Sequence, residues 1–443
     1  MTVNSKLLQS GVFVFLQRLL ILVFGFGSFI ILIRVFDKED FGVWSLYVAI
    51  TTLIETVRYG FVKSSQIRMF AISEPAKQRE IMSASFILNL LLSSFVVIAL
   101  VAASFFIDDL LHSSQLGALL LFYTLIYMVL VPHTYIEYHN ESVMNFKINF
   151  MAYAIRQGVF FAILIFFVAI NYKMELIQVA IIQFLSVIAS LTYLILKAGQ
   201  PVAAIGRFRW RDVKKMIDYG KYVFGTSVSS ILSRNIDQFM ISYFLGLTAV
   251  AVYNPALRIS GIIEVPTTAL ATIVFPLSAK HSTGNRSYLK YLYEKSVGYN
   301  LGILIPLAIG VIVMAEPIVL AVAGRGYADA TTILRLYILT VMFIPFGRQF
   351  GVIFDSIGKQ KISFYLLFFS TLINIAFNYF FIRLWGLHGA VYAVLSTLFI
   401  RFVINQYLLN RVIDVKIIDV FRYTFEFYRF LIAQCRLAIS RIW

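Results

Sequence analysis

Inside long apolar runs, a small set of ionisable side chains stands where hydrocarbon should exclude them. They are Arg18, Glu55 and Arg58 in the first half of the chain. In the second half they are Arg234, Asp237, Arg258, Glu264, Arg335, Arg348, Asp355 and Arg401. A charge at the centre of a bilayer costs at least ~2.5–3.5 kcal/mol, so each needs a partner or a task. Arginine suits phosphate, because its planar fork donates two parallel hydrogen bonds. Arg18, Arg58, Arg234 and Arg258 fall in the first two apolar spans of each half. We expect them to line a basic, water-filled cavity that binds an anion. Glu55, Asp237 and Glu264 have two readings. A carboxylate in a low-dielectric cavity takes up a proton or holds Na⁺, whereas one beside an arginine is a fixed ion-pair partner. Glu55 with Arg58, and Arg234 with Asp237, have the i,i+3 spacing that places both groups on one helix face. The plainer alternative for any of these residues is a structural ion pair or an arginine snorkelling to the interface.

The elements that carry these residues follow from composition. The chain has 443 residues, of which 60% are hydrophobic and only 14% charged. Soluble domains are about 45–50% apolar and roughly 25% charged, so this chain cannot bury its apolar surface in water. Disordered chains are poor in apolar residues, which excludes disorder. A single cysteine, Cys435, excludes a disulfide scaffold. An all-α integral membrane protein remains.

A helix needs about 20 apolar residues to cross a bilayer. Twelve spans meet that length, at 10–33, 42–62, 81–106, 116–136, 150–171, 175–196, 220–244, 250–277, 297–321, 330–354, 362–383 and 387–409. The first lacks a small-residue cleavage site before Arg34, so it reads as a span and not as a signal peptide. The loops alternate in charge. One face gathers Lys63, Arg68, Lys77 and Arg79, the run Arg207 to Lys221, Lys280 to Lys295, Lys359 and Lys361, and the arginines of the tail. The other face holds few basic residues and the pair Asp108–Asp109. The positive-inside rule places the basic face, with both termini, in the cytoplasm. It also accounts for most of the net charge of +16 without any nucleic-acid partner.

The two halves repeat. At an offset of 209 positions, Gly11 falls on Gly220, Trp44 on Tyr253, Ile50 on Ile259 and Glu55 on Glu264. Two six-helix lobes in parallel orientation are expected around a central cavity, a layout transporters use to rock one lobe against the other. The lobes are read as 1–197 and 220–410, joined by a basic cytoplasmic linker over 198–219. Span eight carries Pro255, Pro266 and Pro276, and Pro255 and Pro266 read as hinges. Residues 411–443 mix aromatic and basic side chains. They read as an amphipathic cytoplasmic tail lying on the anionic leaflet, or alternatively docked on the protein's own surface.

Several kinds of chemistry are missing. His112, His133, His139, His281 and His388 are scattered, and no zinc or haem spacing exists. No phosphate loop and no nucleophile elbow is present. No cofactor is expected, and no metal.

Several stretches resemble bacterial polysaccharide flippases of the Wzx type. They include Arg34-Val35-Phe36, Phe41 to Leu46, Arg234 to Leu247, Val252 to Ala256, Phe275 to Ser278, Gly358 to Lys361 and Trp385 to Ala390. That family belongs to the multidrug/oligosaccharidyl-lipid/polysaccharide (MOP) exporter superfamily. The resemblance covers essentially the whole chain. It implies two six-helix lobes and a transporter, not an enzyme. It implies translocation of an undecaprenyl-pyrophosphate-linked oligosaccharide from the cytoplasmic to the periplasmic leaflet of the bacterial inner membrane. The surface polysaccharide served would be O-antigen, capsule or exopolysaccharide. H⁺ or Na⁺ coupling and alternating access come with the superfamily, as do a polysaccharide polymerase and a chain-length regulator as neighbours. Asp237 matches an acidic position that recurs in the family's seventh span. Two other readings are kept. A multidrug exporter of cationic drugs would favour an acidic cavity. A membrane glycosyltransferase or polymerase would need catalytic acids outside, for which only Asp108 and Asp109 are available.

Overall fold

The computed structural model describes residues 3–197, 208–280 and 286–439. Among these, every regular element is helical. The first half contains α1 (Val3–Val35), α2 (Lys38–Arg58), a π-helical turn (Tyr59–Lys63) and α3 (Ser64–Ile72). It continues with α4 (Pro75–Ser104), α5 (Ile107–Leu111), α6 (Leu116–Ser142), α7 (Phe146–Ala169) and α8 (Leu176–Lys197). The second half opens with α9 (Trp210–Leu245), α10 (Leu247–Ile263), α11 (Val265–Lys280), α12 (Arg286–Val313) and α13 (Ala315–Ala323). It ends with α14 (Ala330–Tyr337), α15 (Ile344–Ser356), α16 (Gln360–Ile413) and α17 (Ile417–Ile439).

Eight helical stretches among the described residues are long and apolar enough to cross a bilayer. α16 contains two crossings, because its backbone turns at Trp385–Gly386, where Gly386 takes a φ of +56°. Adding α2 and α9, which carry more charge, and α1, whose apolar stretch includes Leu19–Val35, accounts for the twelve expected spans. The chain is a multi-pass membrane protein. Local signals set the helix starts. Asp37 accepts the backbone N–H of Asp40 at 2.9 Å and caps α2. Pro75 opens α4, where its missing N–H costs nothing.

Three spans are more broken than their apolar runs suggest, and proline is the reason in each. Span eight divides at Glu264 into α10 and α11. Pro266 has no N–H to offer Ile262, and its ring would strike that carbonyl. The amides of Thr267 and Thr268 turn instead to the carbonyl of Glu264. α10 runs through Pro255 and α11 through Pro276 without a break. Span nine stops at Val313, short of the expected 321, and α13 follows as a separate helix. Pro317 removes the bond that would have joined them. Span ten passes through a 3₁₀ stretch, Ile338–Met342, before Pro345 starts α15. Residues 198–207 of the expected linker lie outside the described residues, and 210–219 form the start of α9.

The chain packs as two compact units. The first runs to Asn235 and includes residues 246–251; the second holds residues 236–245 and everything from Val252 onward. In the first unit, α7 packs on α1 and α8, and α6 packs on α4 and α8. One core cluster there comprises Phe70, Met82, Tyr135, Ile136, Ala152 and Leu194. In the second unit, α15 packs on α11, α12 and α16 around Tyr293, Phe346, Phe350 and Phe354. The start of α9 belongs to the first unit, where Val213 and Met216 join Val62, Leu88 and Tyr138. Two glycines permit this approach. A Cβ on Gly60 would stand 2.6 Å from Phe224 Cα, and one on Gly220 would stand 2.8 Å from Phe61 Cα. The rings of Phe61 and Phe224 then meet in a tilted pair, with centroids 4.7 Å apart.

Candidate functional site

In the first unit the ionisable groups gather around the last turns of α2. Arg58 has a fully buried side chain, at 0% exposure. Its guanidinium carbon lies 3.9 Å over the ring of Tyr127 on α6. Nη1 meets Glu55 Oε2 at 3.5 Å, and Nη2 donates to the Tyr127 carbonyl at 3.4 Å. Tyr123 donates its hydroxyl to the other Glu55 oxygen at 2.8 Å. The expected Glu55–Arg58 pair is therefore present, with two tyrosines added. Tyr123 and Tyr127 are one helical turn apart on α6 and face α2 together. Pairing leaves no net charge in the cluster, and stacking on Tyr127 supplies a cation–π contact in place of water. Arg58 has little left to offer a ligand in this conformation, whereas the Glu55 side chain remains 34% exposed.

Immediately after Arg58 the helix widens into the π-helical turn. Such turns interrupt regular helices mostly at functional sites. This one ends at Lys63, whose Nζ contacts Glu141 Oε1 at 2.8 Å and lies over the rings of Tyr59 and Tyr138. Deeper in the unit, His133 shares a 2.9 Å hydrogen bond with Ser190, and its other ring nitrogen lies 3.7 Å from Glu137.

The second unit holds a different arrangement. Asp237 on α9 is buried. Asn378 on α16 donates to Asp237 Oδ1 at 2.8 Å, and Tyr253 on α10 donates to Oδ2 at 3.4 Å. Asn378 also donates to Asn374 one turn earlier, at 3.2 Å to its side-chain oxygen. These partners are all neutral. The expected i,i+3 pair with Arg234 does not form at Asp237, because that carboxylate turns toward α10 and α16 while Arg234 is exposed. Asn378 Oδ1 is buried with no hydrogen-bond partner. A carboxylate, a phenol and two side-chain amides thus meet in one buried place. Hard cations take oxygen ligands of these kinds, and a proton can be held by the same carboxylate.

The remaining expected residues lie on other stretches of the chain. Arg258 is exposed on α10. Glu264 sits at the α10–α11 joint, partly exposed. Arg18 lies on α1, with its side chain outside the described residues. Reading the chain alone misses Tyr123, Tyr127, Asn374 and Asn378. Asn374 and Asn378 were visible as an i,i+4 amide pair inside an apolar span, which is a sign of interhelical hydrogen bonding.

A family model described as "Polysaccharide biosynthesis protein" matches residues 31–332. The chain belongs to the polysaccharide biosynthesis protein family. One relative is an uncharacterized membrane protein of Methanocaldococcus jannaschii, 27% identical over 47% of this chain and 41% of its own length. Another is the probable low-salt glycan biosynthesis flippase Agl15 of Haloferax volcanii, 21% identical over 47% of this chain and 44% of its own length. The chain thus spans less than half the length of these two relatives. The lipopolysaccharide biosynthesis protein WzxC of Escherichia coli is 21% identical over 85% of this chain and 75% of its own length. Among solved structures, an inward-facing multidrug transporter of the MOP superfamily superposes with a TM-score of 0.72, at 17% identity. That superposition covers 89% of this chain and 95% of the transporter. The lipid II flippase MurJ, in an inward closed conformation, gives 0.71 at 16% identity, covering 96% of this chain and 92% of MurJ. This member of the polysaccharide biosynthesis protein family has the two-lobed MOP fold.

Proposed function

We propose that the protein is a flippase for lipid-linked oligosaccharides. It moves an undecaprenyl-pyrophosphate-linked repeat unit from the cytoplasmic to the periplasmic leaflet of the bacterial inner membrane, for surface polysaccharide synthesis. The observation that carries the transport reading is the buried Asp237 among neutral hydrogen-bond donors. A lone carboxylate in that setting costs stability unless it exchanges a cation. Membership of the polysaccharide biosynthesis protein family supports a glycan cargo.

In this account Asp237, Asn374, Asn378 and Tyr253 hold the coupling ion, H⁺ or Na⁺. Arg234 and Arg258, both exposed, meet the pyrophosphate, and Arg18 is a further contact. Arg58 serves differently from the others: it holds Glu55 in place, and Glu55 presents its free edge to sugar hydroxyls. The joint at Glu264–Pro266 is the hinge of span eight. The lobes are 1–197 and 220–410, and both termini are cytoplasmic. The sugar part crosses through a wet path while the isoprenyl chain stays in lipid.

Lipid mass spectrometry on a host lacking the gene tests this reading. Accumulation of a polyprenyl-pyrophosphate oligosaccharide facing the cytoplasm is the expected result. Single repeat units accumulating on the periplasmic side would point to a polymerase. Sensitivity to cationic drugs without such a lipid would point to a drug exporter.

A further inference from the structure

The C-terminal helix is sorted by charge around its circumference. Its first half is clamped along α12. Glu294 accepts the backbone N–H of Lys416 at 2.9 Å, where α17 starts. Lys290 lies within 3.7–3.8 Å of Glu294, Asp414 and Asp419. Thr424 donates to the Gly298 carbonyl at 3.0 Å, and Tyr299 donates to Glu426 at 3.2 Å. Lys295 stands 3.8 Å from the same Glu426. Glycines make the close contact possible, since a Cβ on Gly298 would stand 2.6 Å from the Val420 carbonyl oxygen. The tail is therefore docked on the protein through this face.

Both acids of α17, Asp419 and Glu426, are spent on α12. What faces away is of opposite character. Arg422 and Arg429 are exposed and one heptad apart, so they share a line on the helix. Ile418, Phe425 and Ile432 share a neighbouring line and are also exposed, Phe425 at 66%. Phe421, also exposed, flanks them. Beyond Tyr428 the helix leaves α12, and residues 430–434 are exposed on every side. An outer face of arginines and aromatic rings, on a helix whose two acids are engaged by Lys290, Lys295 and Tyr299 of α12, is complementary to an anionic surface with an apolar interior.

We propose that the outer face of α17 is a docking surface for anionic lipid. Its arginines bind headgroup phosphates of the leaflet on the basic side of the protein, and Phe421, Phe425 and Ile432 enter the acyl boundary. This inference goes beyond the flippase reading and does not depend on the cargo. Because Glu294 and Lys290 tie α17 to α12, that contact fixes α12 relative to the leaflet.

The test uses the full chain in nanodiscs, with Cys435→Ser and a fluorophore on Phe421→Cys. A nitroxide lipid reports insertion, and iodide reports exposure to water. With phosphatidylglycerol present, the label should be quenched from the lipid side. With phosphatidylcholine alone, the inserted fraction should fall. Each basic residue near an anionic leaflet contributes enough that Arg422→Gln or Arg429→Gln should lower the inserted-to-free ratio roughly fivefold. Hydrogen exchange at Thr424 monitors docking on α12 in every variant. If Thr424 stays protected while the label is quenched only from water in both lipids, the proposal fails. Equal insertion in the two lipids, or insertion unchanged by the glutamines, would also overturn it.

Discussion

Asn378 reaches across from α16 to give its side-chain amide to Asp237 on α9 over 2.8 Å. The bond joins two buried groups on different helices, and no cation lies among the other partners of the carboxylate. Asp237→Asn should therefore keep the protein folded, since it replaces a desolvated charge with a neutral isostere. Transport should lose its dependence on the Na⁺ or H⁺ gradient. Flipping measured in proteoliposomes with and without the gradient checks this. Retained gradient dependence in the variant would remove Asp237 from the coupling.

Around Arg58 the expectation is the opposite. Glu55→Gln leaves a fully buried guanidinium without its counter-charge, which should cost about 3–5 kcal/mol. The double change Glu55→Gln with Arg58→Gln should recover much of that loss. Thermal unfolding of the four proteins in detergent gives the coupling directly. Additive effects would mean that the 3.5 Å pair is incidental.

At the crossing of the π-helical turn with α9, space is the issue. Gly60→Val or Gly220→Val must push α9 away, because each new Cβ would lie under 3 Å from backbone atoms. Either change should reduce transport severely, and Gly→Ala should do so less. A disulfide between Phe61→Cys and Phe224→Cys, at positions whose ring centroids lie 4.7 Å apart, should form readily in the resting protein. Failure to form it would contradict the close approach.

Pro266→Ala returns a backbone N–H to span eight and should let α10 run on into α11 through Glu264. The expected outcome is normal expression with slower transport. Pro255→Ala should have a smaller effect, because α10 is already continuous through Pro255.

The spans were legible in the chain because their signal is local: apolar length, flanking charge and turns such as Trp385–Gly386. Glu55 and Arg58 were legible as a pair because i,i+3 spacing on a helix leaves few other geometries. The same rule misled at Arg234 and Asp237, where Asn378 and Tyr253 on other helices win the carboxylate. Arg58 read as an anion ligand from its type. Its burial under Tyr127 depends on α6, seventy positions away, which spacing cannot reveal. The tail was read first as a helix lying on the leaflet, with docking on the protein as the alternative. Docking rests on Gly298 and Lys290 of a distant helix, and its charge sorting becomes visible only once they are in place. Span nine ends at Val313 because Pro317, inside an otherwise apolar run, breaks the helix there.

The central claim is that a lipid-linked oligosaccharide crosses the bilayer through this protein. The most direct measurement reconstitutes the purified chain in liposomes with a fluorescent polyprenyl-pyrophosphate oligosaccharide in one leaflet and follows its appearance in the other. The account predicts protein-dependent crossing that is driven by an imposed Na⁺ or H⁺ gradient, weakened by Arg258→Ala and uncoupled by Asp237→Asn. Crossing at the rate of protein-free liposomes, with the wild-type chain folded and a gradient imposed, would contradict it.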